Sequence, residues 1–213
     1  MTHLKRQCAP TKWPIPRKGT KFVVKTSSKG IPVLVLLRDI LKIARTRKEV
    51  KKAILNKHVL VCGKIIKDDK KSVELFDTLT IVPTKKNYKL ILSEKGKYSL
   101  EKIKDSQKEK KISKVVNKKT LKGKKIQINL LDGKNYLSAL KCSIGDSVII
   151  DLKKNQLERC LLLKENSKIF IIGGKHIGKY GTIENINKKL RNAEVKIGDE
   201  KVKVLIKQLI VIE

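Results

Sequence analysis

Aromatic residues make up only 4% of the 213 residues, so any core must be aliphatic, built from Ile, Leu and Val. Acids are scarce as well: 20 Asp and Glu stand against 52 Lys and Arg, a formal net charge of +32. So large an excess of one sign repels itself unless a polyanion is present, which excludes a compact neutral or acidic metabolic enzyme. Long apolar runs are missing. The longest, Ile31 to Leu37, is seven residues with Pro32 inside it, far short of the roughly 20 that cross a bilayer. No membrane role is expected, and the first residues lack the apolar stretch of a cleavable signal. The four cysteines, Cys8, Cys62, Cys142 and Cys160, never stand at C-x-x-C spacing. They read as reduced thiols of a cytoplasmic protein, with no metal site.

What is present is lysine and a modest supply of aliphatics. Hydrophobic residues make up 40% of the chain, enough for small cores and too many for wholesale disorder. Of the 52 cations 45 are Lys and seven are Arg. A skewed nucleotide composition explains Lys in place of Arg, but not the shortage of acids. No acid precedes Asp39, and Pro10, Pro14 and Pro16 interrupt the first segment. That pattern predicts a basic extension over residues 1–33 without regular structure, ordered by a nucleic acid. Trp13, the only Trp, suits stacking on a base or ribose, or docking on the folded body.

A helical stripe follows at Leu34, Leu37, Ile40, Leu41 and Ala44. Thr46-Arg47-Lys48-Glu49 spells a capping box, which predicts a second helix from Arg47 to about Leu55 burying Val50, Ala53, Ile54 and Leu55. From His58 the period changes to two: Val59-Leu60-Val61, a turn at Cys62-Gly63, then Lys64-Ile65. A further strand is expected over Glu74 to Val82. Residues 101–125 hold eleven Lys and three acids, yet strand-like segments surround them at Tyr88–Leu92, Lys97–Ile103 and Ile126–Leu130. Asp132-Gly133 then signals a hairpin, and Ile144-Gly145-Asp146 a turn before another strand. Residues 86–163 therefore read as a small β domain with a very basic face.

The last segment, residues 164–213, opens with the strand Ile169–Ile172. Gly173, four residues, then Gly178-Lys179 nearly spells a phosphate-binding loop. Tyr180 occupies the place of the magnesium-binding Ser or Thr, and alternation typical of a strand follows where a helix is required, so nucleotide hydrolysis is excluded.

Residues 34–85, through Leu36-Leu37-Arg38, Glu49-Val50 and Val59–Ile65, resemble the RNA-binding module named after bacterial small-subunit ribosomal protein four. Cys62 departs from that pattern, in which Asp or Asn holds the turn. Gly174, Gly178 and Gly181 resemble the KOW motif, which implies an SH3-like barrel over residues 164–213. The order of parts resembles the archaeal and eukaryotic small-subunit ribosomal protein family called S-four-e. The carrying stretches include His3-Leu4-Lys5-Arg6, Ala9-Pro10, Trp13, Val50-Lys51-Lys52, Phe76-Asp77, Lys95-Gly96-Lys97-Tyr98 and Ile210-Val211-Ile212. The stop at Glu213, where eukaryotic members carry a longer tail, suggests an archaeal-type member.

The resemblance implies an α+β multi-module fold: a two-helix RNA module, a central β domain and a KOW barrel. It further implies a structural component of the small subunit, in contact with ribosomal RNA near the 5′ domain and with neighbouring ribosomal proteins. No cofactor, small-molecule substrate or obligate homo-oligomer is expected. The expected RNA contacts are Lys5, Arg6, Lys12, Trp13, Arg17 and Lys18 in the extension, then Arg38, Lys42, Arg45, Arg47, Lys48, Lys51 and Lys52 around the helices. Lys64 in the glycine turn and Lys175, His176, Lys179 and Tyr180 in the last segment complete the set. Arg offers a planar fork for phosphate, so all seven arginines, including Arg159 and Arg191, are candidates for positioned contacts. His3, His58 and His176 are scattered, and no nucleophile sits in a catalytic signature. The readings of other classes are an RNA-modifying enzyme accessory and a free KOW-type transcription factor.

Overall fold

The capping box is built as the sequence spells it. Thr46 Oγ1 accepts from the Glu49 amide at 3.3 Å, and Glu49 Oε2 accepts from the Arg45 amide at 2.8 Å. The helix runs Arg47–Leu55 and buries Val50 and Ile54. It ends where Lys57 turns left-handed, with the Lys57 and His58 amides bonding the Ile54 and Ala53 carbonyls. Leu55, expected inside, points to solvent. The preceding helix is shorter than its stripe suggests. Val33–Val35 is α-helical, Leu36–Ile40 is a π-turn, and left-handed Lys42 stops it before Ala44.

A computed structural model describes residues 3–26, 28–138, 140–187 and 189–213; residues 1, 2 and 27 of the predicted extension lie outside it. The chain forms two units, Met1–Leu92 with Lys97–Glu109, and Ser93–Gly96 with Lys110–Glu213. In the first unit, strands Lys64–Ile65, Val59–Val61, Thr78–Ile81, Lys86–Leu92 and Tyr98–Ile103 form one antiparallel sheet in that spatial order. The expected strand over Glu74 to Val82 starts only at Thr78, because Phe76 adopts a left-handed φ of 64° and turns the chain. At the hairpin Cys62 and Gly63 take φ of 50° and 73°, and the Cys62 thiol donates to Asp77 Oδ1 at 3.0 Å. A thiol thus supplies the turn's side-chain bond in place of Asp or Asn.

The extension is folded, which corrects the expectation of an unstructured arm. Leu4–Lys5 pairs with Phe22–Val23, and Arg6–Cys8 forms a 3-10 turn. Trp13 is 3% exposed and its indole N–H donates to the Gly30 carbonyl at 2.8 Å. The prolines shape irregular loops, and one buried indole with about 150–250 Å² to cover gives those loops a reason to close.

In the second unit two five-stranded antiparallel sheets follow. The middle sheet orders Asn135–Leu137, Ile126–Leu130, Lys110–Thr120, Ser147–Asp151 and Gln156–Leu161 around Val115, Ile128, Leu130, Val148 and Ile150. The last sheet orders Glu200–Leu205, Asn192–Ile197, Tyr180–Asn187, Lys168–Ile171 and Leu209–Val211 around Ile169, Ile171, Ile183 and Val195. Each fully buried aliphatic contributes about 1.5–3 kcal/mol. The expected SH3-like barrel is not formed. The 3-10 turn Ile206–Gln208 carries the chain across to Lys168–Ile171, so Glu200–Leu205 and Leu209–Val211 occupy opposite edges and the sheet stays open. Alternating apolar residues and glycine turns specify which strands pair, whereas closure depends on stagger that no local pattern encodes.

Candidate nucleic-acid interface

The first unit positions a basic loop by backbone bonds. The Val33 and Leu34 amides, unsatisfied at a helix start, donate to the Lys71 and Asp69 carbonyls at 3.0 and 3.2 Å. Asp69, 2% exposed, also receives Arg47 Nε at 2.6 Å. Burial raises the Asp69 carboxyl, but the hydrogen bonds and charge of Arg47, with the charge of Lys51, outweigh it and hold it below the ordinary range. The Asp68-Asp69 pair is therefore a clamp and not a plain solvated turn. It sets Lys67, Lys70 and Lys71 in the lining of a cleft.

Further lining residues come from the extension, whose arginines fix its loops. Arg6 donates to the Thr20 and Pro16 carbonyls at 2.7 and 3.0 Å and to Thr20 Oγ1 at 2.6 Å. Arg17 holds the Gln7 and Ala9 carbonyls at 3.0 and 2.9 Å. The cleft, of about 1020 Å³, is lined by eight cations, Arg6, Lys18, Lys25, Arg38, Arg47, Lys67, Lys70 and Lys71, against two acids. Both acids are engaged: Asp39 takes Arg38 at 2.9 Å, and Asp68 Oδ1 takes the Lys70 amide at 3.1 Å. Its apolar lining includes Leu34 and Val35.

Four of the predicted residues thus meet in one cleft: Arg6, Lys18, Arg38 and Arg47. Lys48, Lys51 and Lys52 stand exposed on the Arg47–Leu55 helix, and Lys5, Arg17, Lys42, Arg45 and Lys64 are exposed elsewhere on this unit. Lys12 is half-buried, and burial lowers its pKa. Trp13 has docked on the folded body, so its ring is not offered to a base. In the second unit Lys175 is exposed, His176 and Lys179 are partly covered, and Tyr180 leans on Phe170 with ring centroids 4.9 Å apart. Their loop depends on Gly178, where a Cβ would stand 2.2 Å from the Ser93 carbonyl oxygen and φ is 82°. Arg159 pairs with Glu213, and Arg191 is exposed. Lys25, Lys67, Lys70 and Lys71 were not singled out from the sequence. The run Lys67-Asp68-Asp69-Lys70-Lys71 nearly balances its charges in sequence, whereas in the fold Asp69 is buried and the three lysines are exposed.

Such a cleft, lined by eight cations with Ile15, Val23, Val24, Leu34 and Val35 among its apolar walls, belongs to a polyanion-binding protein. Among the described residues no cluster of His, Cys, Asp and Glu is arranged to hold a metal ion. Comparison with known proteins agrees with the class. The family described as Ribosomal family S4e matches residues 84–157, and the RS4NT (NUC023) domain matches residues 2–28. The small ribosomal subunit protein eS4 of Methanocella arvoryzae is 37% identical over 190 residues, covering 86% of this chain and 80% of its own. Its counterpart from Archaeoglobus fulgidus is 37% identical over 188 residues, with 86% and 79% covered. The crystal structure of the 30S ribosomal protein S4e from Thermoplasma acidophilum shares the fold, with a TM-score of 0.75 at 22% identity over 87% of this chain and 96% of that one. The chain belongs to the eS4 family of small-subunit ribosomal proteins. It is an archaeal-type, cytoplasmic, structural component of the ribosome that binds ribosomal RNA and associates with other ribosomal proteins, and it is not an enzyme.

Proposed function

We propose that the first unit's cleft is the main RNA-holding surface, with Lys48, Lys51 and Lys52 extending it along the helix. Residues 1–33 and 34–85 then act together rather than as arm and module apart. The observation that carries this reading is the eight-to-two balance of cations over acids within one cleft, with both acids already engaged. The loop holding Lys175, His176, Lys179 and Tyr180 is a second contact. The finer target is the 5′ domain of the small-subunit RNA, on the strength of the family resemblance.

Each cation set on a phosphate releases counterions, so affinity falls with salt at a slope of roughly −0.9 per phosphate on duplex. Lys70→Glu with Lys71→Glu tests the cleft, because neither side chain holds the fold together. Filter binding to small-subunit RNA across a salt series should show affinity down on the order of tenfold or more and a shallower slope by about one to two. Unchanged affinity and slope would remove the cleft from the interface.

A further inference from the structure

The second unit carries an open groove of about 980 Å³ between its middle and last sheets, and its chemistry is the reverse of the cleft's. Six large aliphatics, Val116, Leu131, Ile144, Leu162, Leu190 and Leu205, stand exposed along it. They are six of the thirteen exposed large hydrophobics among the described residues, so the exposure is concentrated and not scattered. Ile144 is 63% exposed and Leu190 67%. The groove is also built. A register shift between Val115 and Asn117 turns Val116 out of the sheet's core and onto the groove wall. Asp146 fixes the floor, taking the Leu163 amide at 2.8 Å and the Ser143 amide at 2.7 Å. Lys114, 5% exposed, ties the sheets together by donating to the Ile206 and Leu209 carbonyls.

Three occupants compete, and charge and polarity separate them. RNA presents phosphates and hydroxyls, to which six aliphatic side chains offer no hydrogen bond. A second copy of this chain brings another +32 to a surface whose free rim charges, Lys164, Arg191 and Lys207, are already positive. The one lining acid, Asp146, is committed to backbone amides. We infer that the groove docks a segment of a neighbouring ribosomal protein, with apolar side chains in the groove and Asp or Glu at its flanks against Lys164, Arg191 and Lys207. The inference does not rest on the cleft being the RNA site.

The test uses the full chain assembled into small subunits, with a benzoylphenylalanine photocrosslinker at position 144, 190 or, as control, Leu137, an exposed residue outside the groove. Positions 144 and 190 should attach to one protein segment of apolar residues flanked by acids, and position 137 should not. Attachment to RNA, to a second copy, to a segment without acids, or to nothing overturns the proposal. A second arm covers function. Ile144→Glu with Leu190→Glu should leave the melt and the isolated chain's RNA affinity within about twofold while retention on salt-washed subunits falls about fivefold. An equal fall in RNA affinity would make the groove part of the RNA face and sink the inference.

Discussion

Lysine does opposite work in the two units. In the first, the cleft's cations outnumber the acids beside them, of which Asp39 pairs with Arg38 and Asp69 with Arg47. In the second, Lys111 is 1% exposed and bonded to Asp132 at 2.7 Å and Lys114 is roofed by carbonyls beside an aliphatic groove, while others such as Lys175 stay exposed. The difference teaches that net charge reports on a partner only where burial leaves the charge in water. A buried lysine counts toward +32 and attracts no phosphate.

That contrast breaks most sharply at Asp132. Asp132→Ala strands the buried Lys111 ammonium without its carboxylate and should lower stability by about 3–5 kcal/mol, read by urea unfolding, with RNA affinity per folded molecule unchanged. A loss of RNA binding without a loss of stability would mean the pair belongs to an interface. Next comes Lys114, whose ammonium burial pushes down to about 8 from an ordinary 10.5. Between those values the unfolded chain binds more protons than the folded one, so stability should rise as pH climbs from 8 towards 10.5. Lys114→Met should flatten that rise relative to the parent; parallel curves would refute the buried cation. The smallest effect lies in the first unit. Thr46→Ala removes the cap and should cost about 1 kcal/mol by the same unfolding measurement, while sparing the second unit's groove.

Local grammar was legible and burial was not. The Arg47–Leu55 helix, the Cys62-Gly63 turn and the strand Ile126–Leu130 lie where spacing and capping put them, because each is decided by neighbours within four residues. Trp13 was read as an RNA ligand or a docked ring, and only the fold brings Gly30 to its indole. Removing residues 1–20 therefore takes away part of a core. Arg47 lines the cleft, but its bond to Asp69, 22 residues on, is invisible to any short window. The barrel failed for the same reason: pairing is local, closure is not. The aliphatic groove escaped the sequence altogether, since Val116, Ile144, Leu162 and Leu190 each look like ordinary core residues until the sheets are assembled.

The pairing of Ile31–Pro32 with Ser72–Val73 has a consequence for synthesis. The acid-free opening segment leaves the exit tunnel well before the strand that closes over it. The eight cations of that stretch precede the first acid, Asp39, and lie far ahead of Val73 in the chain. The extension's own pairing, Leu4–Lys5 with Phe22–Val23, lies wholly upstream, so the Ile31–Pro32 ladder is the point where the basic segment is tied to residues far along the chain.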